Sequence, residues 1–114
     1  MTLLDTSIVI DQLRKGETHP GNISILTIIE LLRGIPSEKR RALKENLEEL
    51  YNVQQISNEV VLEYCRIYTE LKESGELIQD ADILIAATAI ATEDELSSKD
   101  SDFKRLTKHG LVLA

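Results

Sequence analysis

An α/β fold with a mostly parallel central sheet of about five strands flanked by helices is the architecture this chain predicts. Two observations carry the prediction. Short apolar runs suited to buried strands alternate along the whole chain with segments of helical period. From Ile83 to Ala91 every residue except Thr88 is apolar, so a helix there has no polar face and must be buried. It is too short for a bilayer span, which takes about 20 apolar residues.

Taken in order, Thr2–Asp5 is a short buried strand ending at Asp5. Thr6 or Ser7 then caps a helix to about Lys15, with Ile8, Val9 and Leu13 inward. Gly16 to Asn22 carries Gly, His, Pro and Asn and is a loop. Ile23–Leu26 is a second strand, and Thr27 caps a helix containing Ile28, Ile29, Glu30, Leu31 and Leu32, closed by Gly34 and Pro36. Ser37 opens a longer helix with Leu43, Leu47 and Leu50 on one face and the pairs Arg41/Glu45 and Lys44/Glu48 on the other. Val53–Ile56 is a third strand. Ser57 or Asn58 caps a helix with the stripe Val60, Val61, Tyr64, Ile67, Tyr68 and Leu71, stopped by Gly75. The buried helix begins at Asp82 and is followed by a weak strand over Glu95–Ser98. A short helix from Asp100 carries Phe103 and Leu106, and Leu111–Leu113 is the last strand. No linker, repeat or low-complexity segment interrupts this order, so residues 1–114 are expected to form a single domain.

Composition removes several function classes. At 42% apolar and 29% charged the chain is globular in type. The lone Cys65 cannot form an intrachain disulfide, which fits a reducing cytoplasm, and its place in a helical pattern suggests a small core hydrophobe. One Cys and two His (His19 and His109) cannot build a four-ligand zinc site, and no signal peptide or glycine-rich cofactor fingerprint is seen. A net charge of −7 argues against a general electrostatic nucleic-acid binder. It leaves room for an enzyme whose bound cation reverses the local sign. Two basic runs, Lys39/Arg40/Arg41/Lys44 and Lys99/Lys104/Arg105/Lys108, suit solvated helix faces, with phosphate contact as the alternative.

The acids fall where a parallel sheet gathers its ligands. Asp5 follows the first strand, Glu30 lies in the first turn after the second, and Asp100 and Asp102 follow the fourth. Asp80 and Asp82 open the buried helix. The carboxyl ends of parallel strands share one edge, and ligands bind in the crevice there. Glu30, set in Ile-Ile-Glu-Leu-Leu, is an acid among large apolar neighbours, which is costly unless it is paired or metal-bound. Hard oxygen donors without His or Cys point to Mg2+ or Mn2+, and such a site suits in-line displacement at a phosphate ester.

Four segments carry a resemblance: Leu3-Leu-Asp-Thr-Ser7, Ser24-Ile-Leu-Thr-Ile-Ile-Glu-Leu-Leu-Arg-Gly34, Asp82-Ile-Leu-Ile-Ala-Ala-Thr-Ala89 and Ser98-Lys-Asp-Ser-Asp-Phe103. In order and spacing the chain resembles PIN-domain proteins, in particular VapC-type toxins of toxin–antitoxin pairs. The resemblance implies a PIN-like three-layer fold and a metal-dependent endoribonuclease, for which the hard oxygen donors suggest Mg2+ or Mn2+; the lone cysteine and the short apolar run add the expectation of a cytoplasmic setting with no membrane association. The resemblance further implies a homodimer held in check by a VapB-type antitoxin. It carries the family's metal-holding, catalytic acids onto Asp5, Glu30, Asp82 and Asp100, with Asp102 as a possible additional acid. It makes the hydroxyls of Thr6 and Ser98 the groups that orient those acids. Lys99, Lys104 and Arg33 would then position RNA at the rim. Asp80 stands where many relatives have Pro or a small residue. The alternative function is a catalytically inactive PIN-like interaction module.

Overall fold

The computed structural model describes residues 1–114. Four strands and five α-helices follow one another as β1 (Thr2–Leu4), α1 (Thr6–Lys15), β2 (Asn22–Ser24), α2 (Ile25–Arg33), α3 (Ser37–Leu50), β3 (Asn52–Gln54), α4 (Asn58–Ser74), α5 (Asp80–Ala91) and β4 (Glu95–Ser97). A 3-10 helix over Ser101–His109 follows. The sheet is parallel throughout, in the order β3-β2-β1-β4. The chain therefore builds outward from β1 through β2 to β3 and returns to the far side of β1 for β4. That reversal puts a topological switch point beside β1, the place where parallel sheets bind ligands.

Successive strand residues face opposite sides of a sheet, and β1 shows it. Leu3 joins a core with Val60, Ile67, Leu71, Ile83 and Phe103, contributed by α4, α5 and the 3-10 helix. Leu4 joins a separate core with Val9, Ile23, Ile28, Leu47 and Tyr51, on the side of α1, α2 and α3. Two cores separated by one sheet make three layers, as expected. In α5 the small residues Ala86, Ala87 and Ala89 are fully enclosed together with Ile83, which lets α4 and α5 approach closely. No helix is long and apolar enough to cross a membrane.

Several sequence expectations need correction. The expected fifth strand shrinks to one bridge between Leu96 and Leu113, so the sheet has four strands. The second strand ends at Ser24, whose hydroxyl accepts from the Leu26 amide and caps α2 in place of Thr27. Glu30 consequently sits in the second turn of α2. Asp5, rather than Thr6 or Ser7, caps α1 by accepting from the Ile8 amide. The apolar helix begins at Asp80, two residues before Asp82. Cys65 is exposed; it lies five residues beyond buried Val60, about 140° around the helix at ~100° per residue, on the wet side with Val61 and Leu62. Leu50 likewise faces solvent, and only Leu47 of its stripe is fully buried.

Candidate active site

The register of β1 on β4 sets the site's geometry. Leu4 lies opposite Ser97, so the next residues of the two strands, Asp5 and Ser98, meet just beyond the sheet. The Asp5 amide donates to the Ser97 carbonyl at 3.0 Å. The Asp5 side chain is 4% exposed, and both of its oxygens are occupied by donors. Oδ1 accepts from the Ser7 hydroxyl at 2.6 Å and from the Ile8 amide at 3.2 Å. Oδ2 accepts from the Ser98 hydroxyl.

Glu30 reaches the same edge from α2. Its Oε1 accepts from the Thr6 hydroxyl at 2.8 Å. Thr6 has a single proton and spends it on Glu30, so the 3.1 Å contact between the Thr6 and Thr27 hydroxyls must run with Thr27 as donor. Thr27 is fully buried. The result is a directed chain from Thr27 through Thr6 to the Glu30 carboxylate.

Asp100 sits in the turn after β4, and Asp102 lies in the first turn of the 3-10 helix. The Asp100 amide donates to the Ser98 oxygen at 2.9 Å, and its carboxylate caps the 3-10 helix by accepting from the Asp102 amide at 2.9 Å. Both side chains are exposed. Asp82, on the first turn of α5, is half-buried. Burial first, then the negative charges of Asp100, Glu30, Asp102 and Asp5, in that order, push its carboxyl above the usual 3.8. The charges of the four other acids thus all reach Asp82.

Asp80 does not join them. Its Oδ1 accepts from the Tyr64 hydroxyl of α4 at 2.6 Å, and that bond is the main reason the Tyr64 phenol is pushed up to about 12. Lys99 and Arg33, expected as rim cations, are also engaged. Lys99 Nζ lies 2.8 Å from Asp11, and Arg33 lies 3.8 Å from Glu30. Asp11 is held below the usual carboxylate range by hydrogen bonds from Lys99 and Lys15. Lys104 lines a hollow of about 250 Å³ with Ser98, Asp100 and Ser101. A larger hollow of about 490 Å³ lies between α2 and α3, is lined by Arg40, Arg41 and Lys44, and contains none of the five acids.

Five carboxylates with no His or Cys among them suit a hard divalent cation. As placed, no three of them stand close enough to ligate one ion, and Asp5 and Glu30 accept from hydroxyl donors. Only two cations come within ion-pair distance of these acids, Arg33 at Glu30 and Arg105 at Asp102, each at 3.8 Å, while Lys99 and Lys104 line the hollow beside Asp100. The hydroxyls orient the acids without neutralising them. Sequence reasoning missed two of these hydroxyls, Ser7 and Thr27. The signal for Thr27 was its spacing: it lies three residues before Glu30 and so shares its helix face.

A family model described as PIN domain matches residues 2–109. Ribonuclease VapC1 of Methanocaldococcus jannaschii is 38% identical over 115 residues, spanning 97% of this chain and 85% of that protein. Ribonuclease VapC1 of Rickettsia felis is 33% identical over 120 residues, spanning 91% and 89%. Among solved structures, VapBC-1 from nontypeable Haemophilus influenzae aligns with a TM-score of 0.81 at 25% identity, over 99% of this chain and 96% of that one.

Proposed function

Because this chain belongs to the PIN-domain family, we propose that it is the ribonuclease toxin of a VapBC-type pair, cutting RNA phosphodiester bonds with a divalent metal. The single observation that carries this reading is the gathering of Asp5, Glu30, Asp100 and Asp102 around Asp82 with hydroxyl donors in place of close cations. Asp5, Glu30, Asp82 and Asp100 would hold Mg2+ or Mn2+. The bound ion would supply Lewis-acid activation of water and charge balance for the phosphate.

The chain's own residues do the arranging. Ser7 and Ser98 fix both oxygens of Asp5, and the Thr27–Thr6 chain fixes Glu30. Groups that orient such acids typically change metal affinity or activity about 10- to 100-fold when removed. Asp82 rides on α5, whose Ile83, Ala86, Ala87 and Ala89 are wholly buried, so its position is set by core packing. Asp102 is the additional acid that borders the set. A VapB-type antitoxin, a second copy of the chain and a cytoplasmic setting complete the proposal. The complete acid set favours the enzyme over an inactive interaction module.

The test is cleavage of a mixed RNA pool by purified protein with Mn2+, with EDTA as control. Asp5→Asn and Asp82→Asn should each abolish metal-dependent cleavage while leaving the circular dichroism spectrum of the fold intact. Full cleavage by either variant rejects the site.

A further inference from the structure

Lys99 precedes Asp100, and its surroundings argue against the substrate-binding role its charge suggests. Its amide donates to Ser7 Oγ at 3.2 Å, and its ammonium lies 2.8 Å from Asp11 Oδ1. Ser7 and Asp11 are four residues apart on α1, so they stand on one face of that helix. One face of α1 therefore grips a single residue of the β4-to-3-10 turn at both its backbone and its side-chain end. Ser7 also donates to Asp5 Oδ1, and Ser98 joins Asp5 to the Asp100 amide. Every polar link from Asp5 to the Asp100 turn passes through residues 97–99.

We infer that the Lys99–Asp11 ion pair, seated on Ser7, is a latch that positions Asp100 for the metal, so that Lys99 acts on the site through the turn and not on the RNA. The inference rests on the reading of Asp100 as a metal-holding acid. Asp100 itself is exposed, and its one link to the core is the long 3.5 Å bond that its carbonyl accepts from the amide of buried Phe103. Its placement depends on this turn. The pair is half-exposed, with side chains 56% and 30% accessible, so its direct contribution to folding stability is small. Its effect should appear in the geometry of the turn.

Two measurements on purified full-length protein test this. Calorimetric Mn2+ titration should show the dissociation constant rising about tenfold in Lys99→Ala and in Asp11→Ala. The double variant should be no worse than either single one, and Lys99→Arg should restore most of the affinity. In metal-free protein, NMR amide exchange at Asp100 should quicken in both alanine variants and return toward the parent rate in Lys99→Arg. Unchanged exchange and Mn2+ affinity in Lys99→Ala, with weaker RNA binding in the absence of metal, would make Lys99 a substrate contact and overturn the latch. If the parent binds no Mn2+, the metal reading itself fails, and the exchange rates still decide whether the turn is latched.

Discussion

Replacing Thr6 with valine separates orientation of the site from stability of the fold. The Thr6 hydroxyl donates to Glu30 at 2.8 Å and accepts from Thr27 at 3.1 Å. Valine keeps the shape and removes both bonds. At Glu30, whose side chain is 26% exposed, water takes the place of the lost donor at little cost. At Thr27, which is 0% exposed, no water arrives, and an unsatisfied buried hydroxyl costs about 1–3 kcal/mol. Thr6→Val should therefore lower the unfolding free energy by about 2 kcal/mol. Thr27→Val alone loses one neutral bond, about 1 kcal/mol, because half-exposed Thr6 can turn to solvent. The double variant has no hydroxyl left to strand and should regain about 1 kcal/mol over Thr6→Val. Urea unfolding followed by circular dichroism measures all three. RNA cleavage with Mn2+ should fall about tenfold in Thr6→Val and stay low in the double variant, since Glu30 is unanchored in both. A double variant less stable than Thr6→Val, or undiminished cleavage by Thr6→Val, refutes the directed chain.

Asp82→Asn should stabilise the protein while it silences it. The native carboxyl titrates above its usual 3.8, so the native state holds the extra proton and stability falls as pH rises through that native value; urea unfolding should show a gain in Asp82→Asn at pH 7 that shrinks once the pH falls below the native value, and an equal gain under both conditions would contradict the charge argument. Asp80→Asn should bring the Tyr64 phenol down from about 12 toward the ordinary 10, read by ultraviolet titration of tyrosine ionisation, with Mn2+ binding unchanged; a loss of Mn2+ affinity would place Asp80 in the metal site after all. Ala86→Leu, at a fully buried position on α5, should cost about 1–3 kcal/mol by overpacking, measured as a lower urea midpoint, and neutrality there would mean that α4 and α5 are not tightly seated.

The helices were legible wherever an apolar period met a stop signal. The stripe Val60, Tyr64, Ile67 and Leu71 and the αL glycine at Gly75 mark α4 without ambiguity, and the apolar run to Ala91 marks α5. Boundaries failed where two caps compete. Ser24 and Thr27 both precede apolar residues, and only the short pairing of β2 with its neighbours decides that the strand stops at Ser24. The last strand failed because Leu111–Leu113 makes only a single bridge to β4. The meeting of Asp5 with the turn that carries Asp100 was legible because neighbouring strand ends of a parallel sheet share an edge. The acids' hydroxyl partners were less so: the Ser98–Asp5 bond joins residues 93 positions apart, a separation that periodicity does not encode.

How the chain distributes its countercharges bears on why this cluster exists. Away from the site, five acids are closely matched: Asp11 with Lys99 at 2.8 Å, Glu48 with Lys44 at 3.0 Å, Glu63 and Glu70 with Arg66 at 2.6 and 3.1 Å, and Glu76 with Lys108 at 3.2 Å. Around Asp82 the partners are hydroxyls and amides, and the two cations within ion-pair distance stand off at 3.8 Å. Like charges drawn together without compensation destabilise a fold, so elements held only by local propensity would drift apart. The opposing force is the packing of α5, whose Ile83, Ala86, Ala87 and Ala89 are wholly enclosed and fix the first turn that carries Asp82. The strain of the cluster is thus borne by apolar burial one turn away. A divalent cation bound by the acids would relieve it, so added Mn2+ should raise the melting temperature of the parent and leave that of Asp82→Asn nearly unchanged. Equal stabilisation of both proteins would show that the ion binds elsewhere.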